Sequence, residues 1–224
     1  WLIAAPQFAD VVKGVLKEGV PLAGILWIGD PPEGLFPIQC HSFEDAISTG
    51  VGDFKPVSVD ENQVAHLYYT SGTTGQPKGV MLTHKNVCSH ALGTIAELKL
   101  VDSDVWGHIA PMFHLADAWA TFAITWIGGR HVMVAQFEAE AVMATIEKQN
   151  ITLSNLIPTM LNLMIKHPRV AEYDFSSLRE ILSGGAPIAP ELVKSIMETL
   201  GCDYIQTYGM TETSPYLTFS ILKE

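Results

Sequence analysis

The sequence predicts an α/β fold in which mostly parallel strands are covered by helices on both faces. Short apolar runs alternate with segments of helical periodicity along most of the 224 residues. Strands that are separated by helices pair in parallel, and parallel sheets need a helical layer on each face. The composition, with 48% hydrophobic and 17% charged residues, provides a large core and excludes disorder. We therefore expect a layered α/β region with ligand-binding loops beyond the carboxyl ends of its strands.

Short apolar runs predict the strands of the main region. They cover residues 65–70, 105–110, 131–135, 153–157, 179–183 and 204–208, and the run at 204–208 is the last clear strand. The beginning of the chain is less regular, with one strand at 24–28 and a connector at 50–60 that contains Pro, Gly and Asp. We therefore expect a peripheral segment over residues 1–60, roughly, and a main α/β region over 61–224.

Helical periodicity predicts helices at 84–98, 116–127, 138–150, 159–166 and 191–200. In the third of these, the apolar positions 139, 142, 143 and 146 fall on one helix face. Pro158 suits the first turn of the fourth helix, and Gly201 suits the end of the fifth. Ser42 and Asp45 have the spacing of a capping box, which predicts a further short helix near the beginning of the chain.

Charge and cysteine content exclude several classes of function. The net charge of −11 repels phosphate backbones and anionic lipids, so neither nucleic-acid binding nor basic membrane adhesion is expected. The cysteines at 40, 88 and 202 form no CxxC pair, which favours a reducing, cytoplasmic compartment, with peripheral membrane contact left open. The apolar uncharged stretch 118–129 is shorter than the roughly 18–20 residues of a membrane span and predicts a buried helix.

The sharpest motif is the run YTSGTTGQPKG at 69–79, directly after a predicted strand. Its glycines let backbone N–H groups approach an anion, its hydroxyls can donate to phosphate oxygens, and Lys78 neutralises charge. The lysine spacing differs from that of a Walker A loop. The alternative is a hairpin tip without function, which rarely collects these residue types so densely. The motif therefore predicts a phosphate site formed by Thr70, Ser71, Gly72, Thr73, Thr74, Gly75 and Lys78.

This run closely resembles the phosphate-binding signature of the adenylate-forming superfamily, which includes acyl-CoA synthetases, aryl-CoA ligases, luciferases and the adenylation domains of peptide synthetases. Three further segments resemble motifs of that superfamily in the same order: PMFH at 111–114, SGGAP at 183–187 and QTYGMTET at 206–213. The resemblance implies that the chain is part of the large N-terminal domain of an acyl-CoA synthetase.

The resemblance also implies roles for individual residues. Tyr208 would stack on adenine above Gly209, and Thr211 would contact the α-phosphate. Glu212 would carry Mg²⁺, which prefers carboxylate and phosphate oxygens. His114 would gate the acyl carboxylate and the thiol channel, whereas Asp117 is expected to be an ordinary helix N-terminal carboxylate. The expected catalytic residues are Thr211, Glu212 and His114, and the further nucleotide-binding residues are Gly184, Gly185, Ala186, Pro187, Gln206, Thr207, Tyr208, Gly209, Met210 and Thr211.

Two plainer interpretations stay open: Glu212 is only solvated in a polar turn, and His114 is a packed core ring.

The implied reaction is ATP-dependent activation of a carboxylic acid to acyl-AMP, followed by transfer to coenzyme A, with Mg²⁺ as cofactor. The apolar loops favour a medium- or long-chain fatty acid. His114 disfavours an amino acid, because peptide-synthetase domains tend to carry aspartate there. Two alternatives remain: an aryl- or amino-acid adenylating domain that loads a carrier protein, and a non-catalytic nucleotide-binding module. Superfamily members are much longer, so we expect a weakly active or inactive piece whose partner is a missing lysine-bearing C-terminal domain.

Overall fold

The computed structural model describes residues 1–34, 37–50, 52, 55–72 and 75–222, and the chain forms two compact units, 1–58 and 59–224. The first unit contains a parallel sheet of three strands in the order β1 (Leu2–Ala4), β2 (Gly24–Trp27) and β3 (Gln39–Ser42). Its helices are α1 (Ala9–Lys17), which follows a 3₁₀ turn at Pro6–Phe8, and α2 (Phe43–Ser48).

Local sequence signals account for the first unit. Val12, Ile25 and Trp27 form its buried core, and they come from the amphipathic α1 and the apolar β2. The hydroxyl oxygen of Ser42 accepts a hydrogen bond from the amide of Asp45 at 3.4 Å, which caps α2. The predicted strand near 24–28 and the predicted cap are both confirmed.

The second unit begins with an antiparallel hairpin of β4 (Val64–Thr70) and β5 (Lys78–Thr83), followed by α3 (His84–Glu97). Thr70 pairs with Lys78, so the glycine-rich run forms the tip of this hairpin. β4 matches the predicted strand 65–70, but β5 was not predicted, because it begins inside the glycine-rich motif. The hairpin is a sheet of its own, separate from the parallel sheet.

A six-stranded sheet forms the centre of the second unit. Its strands are β6 (Val105–His108), β7 (Arg130–Met133), β8 (Leu153–Asn155), β9 (Glu180–Ser183), β10 (Asp203–Gly209) and β11 (Tyr216–Leu222). Their order is β11-β10-β9-β8-β6-β7, and all neighbours are parallel except β11, which runs antiparallel to β10. The mostly parallel sheet is confirmed. The prediction that 204–208 is the last strand is wrong, because the chain turns back at Ser214–Pro215 and pairs as β11.

Helices cover both faces of this sheet, as predicted. The first face carries α3, α4 (Leu115–Ala118) and α5 (Ala120–Ile127), and the second carries α6 (Ala139–Gln149), α7 (Pro158–Ile165) and α8 (Pro190–Leu200). Alternate strand residues serve the two cores: Trp106 packs on the first face and Val105 on the second. The predicted helix 116–127 is divided at Trp119 into α4 and α5. Among the described residues, no helix has both the length and the apolar character that crossing a bilayer requires.

The direction of strand addition reverses beside β6. The chain adds β7 on one side of β6 and then returns to add β8 on the other side, from which β9 and β10 continue outward. In open α/β sheets, ligands bind outside the carboxyl ends of the strands at such a reversal. The fold therefore places its natural binding crevice beyond the ends of β6 and β8.

Candidate functional site

A cavity of about 380 Å³ lies at the carboxyl ends of the parallel strands. The segments that leave β6, β8, β9 and β10 all contribute to its wall. Its lining residues are Ala110, Pro111, His114, Leu115, Ala116, Asp117, Asn155, Ile157, Gly184, Gly185, Thr207, Gly209, Met210, Thr211, Pro215 and Tyr216. A more open depression of about 660 Å³ lies between α3 and β11 and shares Tyr216 with the cavity.

The cavity brings together predicted site residues from three motifs that are far apart in the sequence. These residues are His114, Gly184, Gly185, Thr207, Gly209, Met210 and Thr211. Within the described part of the chain, the predicted residues that do not line it are Thr70, Ser71, Gly72, Gly75, Lys78, Ala186, Pro187, Gln206, Tyr208 and Glu212. Thr73 and Thr74 lie outside the described residues. The binding and catalytic roles of all the predicted site residues stay predictions.

The glycine-rich hairpin lies next to the last motif. Strand β5 contacts the 3₁₀ turn Thr211–Thr213, so the hairpin that carries the glycine-rich run touches the QTYGMTET segment. Gly72 has a φ of +65°, and a Cβ there would overlap the carbonyl oxygen of Gln76, so only glycine fits.

Two glycines bring backbone segments close together at the cavity. A Cβ at Gly184 would overlap the hydroxyl of Thr207, and a Cβ at Gly209 would overlap the carbonyl oxygen of Pro215. The Thr207 hydroxyl donates to the Ser183 carbonyl at 3.1 Å, which ties the end of β9 to β10. The cavity wall beside Gly184 and Gly209 therefore consists of backbone atoms, and the Thr207 hydroxyl is already hydrogen-bonded to Ser183.

The other members of the last motif differ in exposure. The Tyr208 ring is exposed on the surface, at 62%, as a stacking platform must be. The Gln206 side-chain oxygen accepts a hydrogen bond from the Tyr204 hydroxyl at 3.0 Å, so it is occupied by the fold. Thr211 is half-buried, and Glu212 is exposed. Among the described residues, no three His, Cys, Asp or Glu side chains are grouped to hold a metal ion.

His114 stands at the rim of the cavity. Its side chain is exposed, and its ring lies against Phe113 with a centroid separation of 4.6 Å. The interpretation of His114 as a packed core ring is therefore wrong. An exposed imidazole at a cavity rim is free to meet a ligand, although its role as a gate stays a prediction.

Asp117 is an acidic residue in the first turn of α4, as the sequence predicts. Its side chain is only 1% exposed. One carboxylate oxygen lies 2.7 Å from Nδ1 of His108, and the other accepts a hydrogen bond from Nε1 of Trp106 at 3.1 Å. Its carboxylate is buried because α4 is one turn long and packs its acidic residue inward against β6. The position of Asp117 among Leu115, Ala118 and Trp119 is the sequence signal for this burial.

Two further cavity residues were not predicted from the sequence. The Asn155 side-chain amide donates to the carbonyl of Ala116 at 3.0 Å, and its buried Oδ1 has no hydrogen-bond partner among the described residues. The Tyr216 hydroxyl donates to the same Ala116 carbonyl at 2.6 Å. An asparagine inside the apolar run 153–157 is the sequence signal for the first. Tyr216 gives no such signal, because its strand was not predicted.

Burial keeps the ionisable groups near Tyr216 neutral. Burial lowers the pKa of His90 to about 4, and it raises the pKa of Tyr216. The two residues are in contact, since the Tyr216 amide donates to Nε2 of His90 at 3.3 Å. At neutral pH His90 is therefore a neutral imidazole and Tyr216 a neutral phenol.

Comparisons with known proteins agree with the motifs. A family model described as an AMP-binding enzyme matches residues 14–224. A feruloyl-CoA synthase from Amycolatopsis sp is 37% identical over 161 residues, which are 71% of this chain and 32% of that protein. The 4-coumarate–CoA ligase 2 from Petroselinum crispum is 32% identical over 226 residues, which cover 98% of this chain and 40% of that protein. The chain thus spans between a third and two fifths of these curated relatives.

Solved structures extend the similarity to the fold. The crystal structure of a long-chain-fatty-acid-CoA ligase (FadD1) from Archaeoglobus fulgidus superposes with a TM-score of 0.82 at 30% identity, covering 97% of this chain and 44% of that one. A putative long-chain-fatty-acid CoA ligase from Rhodopseudomonas palustris gives a TM-score of 0.83 at 22% identity, covering 98% of this chain and 53% of that one; it supports the fold alone.

Proposed function

The chain belongs to the AMP-binding enzyme family, and on that premise we propose that it binds ATP and activates an apolar carboxylic acid as an acyl-adenylate. We further propose that the whole protein transfers the acyl group from this adenylate to the thiol of coenzyme A. The observation that carries the proposal is the single cavity at the strand reversal, which His114, Gly184 and Thr211 line from three separate motifs.

The first step is a displacement at phosphorus that needs no protein nucleophile. A carboxylate oxygen of the acid attacks the α-phosphorus of ATP, and the bond to the bridging oxygen of the β-phosphate breaks, which releases pyrophosphate. The protein must align these groups and stabilise the charge on the pentacoordinate phosphorus. Thr211 faces the cavity and can donate its hydroxyl hydrogen there. We propose that the hairpin tip with Lys78 holds the departing pyrophosphate, because strand β5 of the same hairpin contacts this turn.

Glu212 fits a role in holding Mg²⁺. Its carboxylate is exposed on the turn between β10 and β11, beside the half-buried Thr211. Mg²⁺ is usually bound by one or two carboxylates together with substrate phosphates, so a single protein carboxylate is a sufficient donor set. When bound, the ion would neutralise phosphate charge. Glu212 itself would hold it next to the α-phosphate position.

The walls of the cavity suit an acid with an apolar body. Leu115, Ile157 and the ring of Tyr216 provide apolar surface, and His114 is the ionisable group at the rim. We propose a medium- or long-chain fatty acid as the substrate. An aryl acid is the second candidate, because relatives with 37% and 32% identity carry the names feruloyl-CoA synthase and 4-coumarate–CoA ligase.

An ATP–pyrophosphate exchange assay tests the proposal. We expect exchange that depends on the added acid in a panel of octanoate, palmitate, 4-coumarate, ferulate and phenylalanine, with the fatty acids first. Preference for the cinnamic acids would select the aryl alternative, and preference for phenylalanine would select an amino-acid-activating domain. ATP binding that no acid affects, without exchange, would contradict the proposal and favour a nucleotide-binding module.

A variant pair assigns the exchange to the site. Glu212→Gln should reduce exchange by about 100-fold at constant magnesium concentration, because it removes the proposed oxygen ligand from the site of charge development. The matched control is Glu198→Gln on α8, whose carboxylate is exposed and pairs only with Lys194 within the helix. Equal activity of both variants would exclude Glu212 from the site.

A further inference from the structure

A chain of four side chains runs from the cavity wall to the protein surface. It begins at Asp117, continues through His108 and His131, and ends at the exposed residue Thr125. The linking distances are 2.7 Å from Asp117 Oδ2 to His108 Nδ1, 2.9 Å from His108 Nε2 to His131 Nδ1, and 3.0 Å from His131 Nε2 to the Thr125 hydroxyl. The two imidazole rings are stacked, with an interplanar angle of 17°.

The chemistry of these groups gives the hydrogen bonds one direction. A carboxylate only accepts, so Nδ1 of His108 donates to Asp117, and a ring with one proton then accepts at Nε2. His131 then donates from Nδ1 to His108, and its Nε2 accepts a hydrogen bond from the Thr125 hydroxyl. The indole of Trp106, which can only donate, occupies the remaining carboxylate oxygen. Each polar atom of this chain therefore has a partner, although Asp117 and His108 are almost completely buried.

The neighbouring residue Ala116 is held as firmly. Its carbonyl accepts hydrogen bonds from the Asn155 amide, the Tyr216 hydroxyl and the Trp119 indole, at 3.0, 2.6 and 3.0 Å. Hence α4, the single turn that follows His114 and lines the cavity, is tied to β6, β8 and β11 by side-chain hydrogen bonds to two consecutive residues. A helix of four residues has little stability of its own, so these bonds determine where it lies.

We propose that Asp117 is a positioning residue, which anchors α4 to β6 and thereby places His114 and one wall of the substrate cavity. His108 and His131 hold the carboxylate in its orientation. The kinetic consequence of this inference, but not the anchoring itself, rests on the proposed function.

The variant Asp117→Asn tests the anchor while keeping a polar side chain of the same shape at this position. Asparagine has one acceptor and one donor where aspartate has two acceptors. Because Trp106 can only donate, the asparagine oxygen must stay with the indole and its NH₂ group must face His108. His108 can adapt by moving its proton to Nε2, and His131 then follows, donating from Nε2 to the Thr125 hydroxyl. The two histidines are thus expected to change tautomer together in a chain that remains folded.

Long-range ¹H–¹⁵N NMR spectra of histidine-labelled protein measure these tautomers. Wild type should show His108 protonated at Nδ1, and Asp117→Asn should show both rings protonated at Nε2. Asp102→Asn, the same substitution at an exposed residue in the turn before β6, is the control and should leave both tautomers unchanged. An unchanged His108 tautomer in Asp117→Asn would overturn the proposed anchor, and this readout does not depend on any enzymatic activity.

Amide hydrogen exchange measures the positioning itself. In Asp117→Ala the amides of residues 117–119 should exchange at least about 10-fold faster, while those of α6 change little, because only the α4 anchor is lost. Faster exchange throughout the chain would contradict a local role. If Asp117→Ala does not fold, the tautomer comparison alone is decisive.

Kinetics then show whether the wall matters to the reaction. Where wild type supports exchange, Asp117→Ala should raise KM for the acid about 10-fold and change KM for ATP less than about 2-fold. An equal rise in both constants would overturn the assignment to the acid side. Failure of wild type to exchange would count against the proposed function, while the NMR and hydrogen-exchange results would still decide the anchoring.

Discussion

Polar side chains have different surroundings at the two ends of the six-stranded sheet. At the amino ends of β6, β8 and β9, charged and hydroxyl groups are paired with one another around one arginine. At the carboxyl ends, polar groups line a cavity, and one of them, Asn155 Oδ1, lacks a partner among the described residues. The same parallel strands therefore contribute to stability at one end and offer binding capacity at the other.

The amino-end cluster is centred on Arg179. Its guanidinium binds both oxygens of Asp104 at 2.9 Å, Glu180 at 2.9 Å and the carbonyl of Leu98 at 3.1 Å. Burial alone would raise the pKa of Asp104, but hydrogen bonds from Arg179 and the Val101 amide outweigh it, so this pKa lies below its ordinary value. Burial raises the pKa of Glu180, which shares the same arginine. The cluster is an ion network with one dominant cation, in which the second carboxylate oxygen of Glu180 is buried without a hydrogen-bond partner among the described residues.

The carboxyl end leaves hydrogen-bonding capacity unused. Asn155 lines the cavity, and its buried Oδ1 has no hydrogen-bond partner in the described part of the chain. Buried polar atoms normally have partners, so such exceptions call for an explanation. The carboxyl end therefore presents polar atoms to a cavity, whereas the polar groups of the amino end mainly contact one another.

The largest expected effect comes from breaking the ion network at the amino end of the sheet. Arg179→Met leaves the nearly buried Asp104 carboxylate and Glu180 without their cation, and it should lower the free energy of unfolding by about 3–5 kcal/mol. Urea denaturation at pH 7 measures the change. Arg169→Met, which breaks ion pairs to Glu140 and Glu172 on the surface, is the control and should cost much less. Equal losses of unfolding free energy in the two variants would show that the amino-end cluster contributes no more stability than the surface ion pairs.

The next effect concerns acid sensitivity at the carboxyl end. The pKa of His90 falls from 6.5 in the unfolded chain to about 4 in the folded one. The unfolded chain therefore takes up the proton first, and stability is lost as the pH falls from 6.5 towards 4. Wild type should lose about 3 kcal/mol more than His90→Gln between pH 7 and pH 4. Parallel stability curves for the two proteins, measured by urea denaturation, would contradict the assignment.

The smallest effect compares the two ends directly. Thr152→Val at the amino end removes hydrogen bonds to Asp104 and from the Val105 amide, both of 2.9 Å, and should cost about 1–3 kcal/mol. Asn155→Ala at the carboxyl end removes one of three donors to the Ala116 carbonyl and an unpaired oxygen, so it should cost less than about 1 kcal/mol. Thermal and urea unfolding of both variants test the order. A larger loss for Asn155→Ala would reverse the comparison.

Much of the second unit could be predicted, because its elements are long or strongly apolar. The run of apolar positions in α6 and the glycine after α8 lead directly to the observed helices. The failures are β5, which begins inside a loop motif, and β11, which follows a proline and exposes most of its residues. Both are strands whose partners lie beside them only after the chain has turned, and no local pattern records such pairing.

The sequence by itself determined the family, the helix-covered parallel sheet and the motifs that supply the candidate site, because residue type and spacing are local properties of the chain. Only the tertiary structure decided which motif residues share the cavity, that His114 stands at its rim, and that Asp117 is buried between Trp106 and His108. Burial and hydrogen-bond partners arise where distant segments meet, so a carboxylate's neighbours cannot be read from its position in the sequence.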